Sequence, residues 1–118
     1  MITGAHTIIY ASDADAARTF LRDVLGLSHV DAGGGWLLFR SPPAELAVHP
    51  GAETSGTAEL YLMCDDLTAT VAELTAKGVE FDGEVTDAGW GLLTHLQVPG
   101  AGRLGLYQPR HPTAYDLP

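Results

Sequence analysis

The chain states one pattern twice, and this repetition limits its fold more than any other feature. Residues 5–27 read AHTIIYASDADAARTFLRDVLGL: a β-branched and aromatic run, an acidic turn, an amphipathic stretch and a glycine. Residues 58–79, AELYLMCDDLTATVAELTAKGV, keep the same order. The cap aspartates Asp13 and Asp66 lie 53 positions apart, and the same offset sets His6 against Glu59. Thr7, Ile8, Ile9 and Tyr10 suit a pleated, half-buried strand over 5–11. Ser12, Asp13 and Asp15 can accept the free amides of a helix start and complement its positive end. Ala17, Phe20, Leu21, Val24 and Leu25 then recur at helical spacing, so one stripe is predicted to be buried. Leu67, Val71 and Leu74 repeat that stripe, and Gly26 and Gly78 are placed to stop the two helices.

Extended, turn-punctuated sequence follows each unit. In the first half, strands are predicted at 28–30, 36–40 and 45–49, separated by Asp-Ala-Gly-Gly-Gly and Ser-Pro-Pro turns. In the second they are predicted at 80–86, 90–98 and 103–108, the last pair joined by Pro-Gly-Ala-Gly. Both halves therefore read βαβββ.

A chain of 118 residues is predicted to form a single domain spanning 1–118. Module one covers about 5–50, module two about 57–109, and 110–118 is a proline-containing tail read as a strap. The net charge of −9, with six Lys plus Arg, argues against nucleic acid, whose phosphates need clustered cations, and against anionic membrane surfaces. The single cysteine, Cys64, permits no intramolecular disulfide, which fits a reducing compartment. There is no apolar run of the ~20 residues that cross a bilayer, and the N-terminus lacks the basic and apolar regions of a signal peptide. A cytoplasmic protein is expected. The Gly-rich segments 33–35 and 99–102 do not open a helix after a strand, so they read as hairpin turns and not phosphate loops. Cys64 reads as a buried small hydrophobe.

Two βαβββ modules in this length resemble the vicinal oxygen chelate superfamily, which includes glyoxalase I, extradiol dioxygenases, fosfomycin-resistance enzymes and bleomycin-binding proteins. The matching pieces are His6, SDADAARTFLRDVLGL, DDLTATVAELTAKGVEF and PGAGRLGLYQP. The resemblance implies an α+β fold in which both modules build a curved mixed sheet around a central cavity, with helices on the other face. It implies a small-molecule ligand and a homodimer. It does not fix the reaction, because this scaffold hosts many chemistries.

On that fold the helix stripe takes one face of the first strand, leaving His6, Ile8 and Tyr10 for the cavity. The same parity turns Glu59, Tyr61 and Met63 inward. An inward carboxylate must find a cation, a donor or a proton. His6 and Glu59, with His95 as a third candidate, could bind a divalent ion such as Zn, Ni, Mn or Fe. Equally, His6 and Glu59 could satisfy each other. The resemblance places a further metal-binding carboxylate on the last strand, where this chain has Gly105. In the first module the corresponding position is Leu46, and a slip of one residue would bring in Glu45. His49 and His111 are expected at the surface. Tyr10, Trp36, Tyr61, Trp90 and Tyr107 offer another use of the cavity, as aromatic walls around an organic ligand.

Three readings stay open. The first is a glyoxalase/bleomycin-resistance/dioxygenase-like protein holding a small organic ligand, with Glu59 and His6 as catalytic candidates and Glu59 as the proton acceptor of any metal-free reaction. The second is a metal-dependent lyase, isomerase or dioxygenase. The third is a non-catalytic dimer that sequesters a drug or regulates.

Overall fold

A computed structural model describes residues 1, 6–51, 53 and 56–118. The architecture is α+β, as predicted. The first half forms α1 (Ala14–Thr19), whose last turns run on as a wider helix over Phe20–Val24, then β1 (His29–Asp31) and β2 (Leu37–Phe39). The second half forms β3 (Tyr61–Met63), α2 (Leu67–Ala76), β4 (Thr86–Asp87), β5 (Gly91–Val98) and β6 (Gly102–Pro109). Module two thus keeps the full predicted order, strand, helix and three strands.

Both helices begin as the sequence indicates. The Asp13 carboxylate accepts from the Ala16 amide and the Asp66 carboxylate from the Ala69 amide, each at 3.0 Å. These bonds satisfy amides that no carbonyl within the helix can reach. Gly26 and Gly78 stop the helices at φ of 69° and 87°, where a side chain would be strained. Between Phe20 and Leu25 the backbone bonds i to i+5 at 3.1 Å, which widens the helix just before its end.

β5 and β6 form an antiparallel hairpin, with β4 on its outer side and β3 running parallel to β6, in the order β3-β6-β5-β4. The predicted strand 80–86 is divided. Phe81 bridges to Leu96, and only Thr86–Asp87 pair fully with β5. Alternation sorts the hairpin into two faces. Leu96 and Val98 of β5 and Leu104 and Leu106 of β6 are 0–6% exposed, and they meet Leu67 and Leu74 of α2 and Ala17 and Phe20 from the first helix. Fully burying a leucine such as Leu67 or Leu96 contributes about 1.5–3 kcal/mol. The two halves are joined through this core and through the Gly100 carbonyl, which accepts from the Asp13 amide and the Ser12 hydroxyl, both at 3.1 Å.

The first half departs from expectation at its outer strands. Ala5 lies outside the described residues, and residues 6–11 and 45–49 pair into no ladder. The β1–β2 hairpin is consequently a separate two-stranded sheet and is not continuous with the larger one. The reason is physical: a strand exists only where a neighbour takes up its amides and carbonyls. The described residues bring no such neighbour to either segment. Ile8 and Tyr10 are 62% and 86% exposed, and Leu46 and Val48 are both 96% exposed. None of the helices is long and apolar enough to cross a membrane among the described residues.

Candidate functional site

The sheet face away from the helices carries a row of rings. In register, His95 of β5 pairs with Gly105 of β6, and Gly105 with Tyr61 of β3, so these residues form one cross-strand line. Tyr107 and Met63 form the next line. The Tyr61 ring stands edge-on to Tyr107 at 5.8 Å and to Trp90 at 6.4 Å, and lies 6.0 Å from the His95 ring. Trp90 and Tyr107 are 5.2 Å apart, again edge to face. Such geometry sets the positive edge of one ring against the negative face of the next.

Glycine makes this row possible. A Cβ at Gly105 would overlap the Tyr61 ring, against Cδ1 and Cε1 and 2.8 Å from Cγ. The missing side chain is therefore the seat of that ring. At Gly91, a Cβ would come within 3.1 Å of the Tyr107 ring and 2.7 Å of the Gln108 carbonyl oxygen.

Carboxylates sit on the phenols. The Tyr61 hydroxyl donates to Glu59 at 2.7 Å, and this bond, with partial burial and the Glu59 charge, raises the phenol above its ordinary pKa. Tyr107 is raised chiefly by burial and further by Glu45, whose Oε1 is 3.4 Å from its hydroxyl. Both phenols therefore stay protonated, as donors, at neutral pH. His111 stacks on Tyr107 at 6.0 Å, with its Nε2 3.3 Å from the hydroxyl.

Of the residues singled out from sequence, the structure brings together Tyr61, Met63, Trp90, His95 and Tyr107, and ties Glu59 to them through Tyr61. It leaves His6, Tyr10 and Trp36 apart. His6 and Glu59 are both exposed, and no hydrogen bond or ion pair joins them among the described residues. Trp36 stands beside the β1–β2 hairpin with the Arg18 guanidinium 5.3 Å over its ring. Glu45 and His111 join the row without a clear sequence signal. His111 lay in a tail expected at the surface, and Glu45 entered only through a possible one-residue slip in register.

The donors do not fit a metal centre. Tyr61 fills the space at Gly105, and among the described residues no three His, Cys, Asp or Glu side chains converge as ligands. A catalytic ion normally keeps three protein ligands.

A cleft of about 1000 Å³ lies elsewhere, among Phe20, Val24, Val79, Val98 and the turn 99–102. A smaller one of about 270 Å³ runs along Leu25, Leu62, Cys64 and Leu74. Both follow helix–sheet seams. Neither gathers a set of rings, carboxylates and imidazoles like the opposite face, which is the stronger candidate on chemistry.

A mixed sheet with helices on one face and a ring-lined surface with a few convergent polar groups on the other defines a ligand-handling α+β scaffold. The particular family follows from sequence. The profile of the Glyoxalase/Bleomycin resistance protein/Dioxygenase superfamily matches residues 4–100, and the chain belongs to that superfamily. Solved structures agree in fold. An antibiotic binding protein, TnmS3, from Streptomyces sp. CB03234 is 24% identical, with a TM-score of 0.62 over 92% of this chain and 99% of that one. A superfamily member from Sphaerobacter thermophilus is 22% identical, with a TM-score of 0.63 over 91% and 98%. A lactoylglutathione lyase from Agrobacterium tumefaciens is 18% identical, with a TM-score of 0.59 over 89% and 95%. Nothing among the curated proteins matches the chain.

Proposed function

We propose that this protein binds a small organic ligand against the ring row of the second module, with the ligand oriented by Glu59 and His95. The observation that carries the reading is the seating of Tyr61 in the gap at Gly105, which aligns Tyr61, Tyr107 and Trp90. Antibiotic binding by TnmS3, a protein of the same fold, supports a ligand-holding role. The same seating weighs against the metal-dependent alternative with His6, Glu59 and His95 as ligands to Zn, Ni, Mn or Fe. For any turnover, Glu59 is the group proposed to accept a proton, as a carboxylate placed at the Tyr61 end of this ring row.

The working unit proposed is a homodimer of single-domain chains, in the cytoplasm. Leu46 and Val48, at 96% exposure, and Ile8 and Tyr10 lie in segments that pair with no strand among the described residues. A second copy would cover them, removing apolar surface from water. Titration with a panel of aromatic antibiotics that includes bleomycin, read by isothermal calorimetry, tests the binding. Saturable binding weakened tenfold or more by Tyr61→Ala and Trp90→Ala is expected. Binding indifferent to both variants would move the ligand off this face. Glu59→Gln distinguishes catalysis from holding, abolishing turnover in an enzyme while sparing much of a binder's affinity.

A further inference from the structure

Glu45 sits in a stretch with almost no packing of its own, since Leu46 beside it is 96% exposed. Its side chain is nonetheless only 19% exposed. A carboxylate drawn out of water needs donors, and Glu45 finds them at the end of β6 and in the tail. Its Oε2 accepts from the Ala114 amide at 2.8 Å, and its Oε1 lies 3.4 Å from the Tyr107 hydroxyl and 3.9 Å from His111 Nε2. The root of the tail is held separately. The Arg110 amide donates to the Trp90 carbonyl and its guanidinium to Asp87, both at 2.8 Å.

The tail therefore turns back over the Tyr107 end of the ring row. Tyr107 is 8% exposed, while Trp90 beside it is 45% exposed. Past Ala114 the chain is open to solvent: Tyr115 and Leu117 are 43% and 68% exposed, and among the described residues the Leu117 amide bonds back to Ala114. The root is anchored twice and His111 rests on Tyr107, while beyond His111 the Glu45 carboxylate takes the Ala114 amide.

We propose that residues 110–118 are a strap latched by Glu45 across the Tyr107 end of the aromatic face, and that opening the latch admits ligand to that end. Gating rests on the reading of this face as the binding surface, whereas the latch itself can be measured without any ligand. A charge-assisted bond from a backbone amide to a shielded carboxylate is about twice as strong as a neutral one, which suits a contact that decides closure.

Amide hydrogen exchange on the whole chain tests the latch. The Ala114 amide should be protected in the native protein and exchange roughly tenfold or more faster in Glu45→Ala, with Glu45→Gln between them. Equal exchange in native protein and Glu45→Ala would overturn the latch. Nile red, an uncharged planar dye, tests the gate. Its affinity should rise severalfold in Glu45→Ala and in a chain ending at Arg110, which loses no residue of the buried core. Unchanged dye affinity in both would overturn gating. A rise that Tyr61→Ala fails to reduce in the shortened chain would instead refute the aromatic face as the binding surface and leave the latch standing.

Discussion

Gly105→Ala is the most searching substitution in this protein, because one methyl group would enter a space already filled by a ring. The added carbon would overlap Cδ1 and Cε1 of Tyr61, so the ring must leave its seat. Overpacking of this kind costs about 1–3 kcal/mol. Displacing Tyr61 also breaks its edge-to-face pairs with Tyr107 and Trp90, at about 0.5–1.5 kcal/mol each. Alanine in a strand recovers roughly 0.5–1 kcal/mol of chain entropy relative to glycine. The net expectation is a loss of about 2–3 kcal/mol, seen as a fall of roughly 8–12 °C in Tm for a chain of this size. Urea unfolding followed by circular dichroism measures it, and near-UV spectra report the aromatic row directly. Tyr61→Ala vacates the seat, so Gly105→Ala in that background should cost almost nothing, leaving a coupling of about 2 kcal/mol in the double-mutant cycle. A single variant within about 0.5 kcal/mol of the native protein, its near-UV spectrum intact, would refute the seat and with it the ring row as a built surface.

The raised phenols of Tyr61 and Tyr107 should ionise above pH 10 in a spectrophotometric titration, and Glu59→Gln should return Tyr61 toward its ordinary value. Since the folded pKa values exceed the unfolded ones, the stability they contribute is complete below pH 10 and is lost as pH rises through the folded values. An unchanged titration in Glu59→Gln would contradict the Tyr61–Glu59 bond. Burial, the first cause, and the charges of Asp65 and Asp66 hold the Cys64 thiol above its ordinary pKa, against a hydrogen bond with Thr70. Alkylation at pH 8 should therefore be at least tenfold slower than in urea-unfolded protein, and equal rates would place the thiol in solvent. Calorimetric titration with zinc, nickel, manganese or ferrous ions should show no stoichiometric micromolar binding, and a tight site abolished by Glu59→Gln would reverse the reading of Gly105.

Much of the framework was legible because its causes are local. Asp13 and Asp66 cap their helices since a short carboxylate reaches the third amide onward, and Gly26 and Gly78 end them because only glycine is unstrained there. The buried stripes at Ala17 and Phe20 and at Leu67 and Leu74 follow from helical spacing alone. Alternation along the first strand of the second module turned Tyr61 and Met63 to the face away from the helices, in line with Gly105 and Tyr107 of β6. Residues 6–11 and 45–49 carry strand-like sequence too, yet among the described residues they form no ladder, because pairing depends on a neighbour that no local pattern supplies.

Composition, caps and periodicity thus determined the α+β class, the two helix starts at Asp13 and Asp66 and the acidic character that disfavours nucleic acid. Tertiary structure alone decided that Tyr61 occupies the gap at Gly105, that Glu59 meets a phenol and not His6, and that Glu45 reaches across to the tail. The difference lies in range. Backbone preference acts over a few residues, whereas a ring seated on a distant glycine, or a carboxylate bonded to an amide 69 positions away, exists only once the core has brought them together.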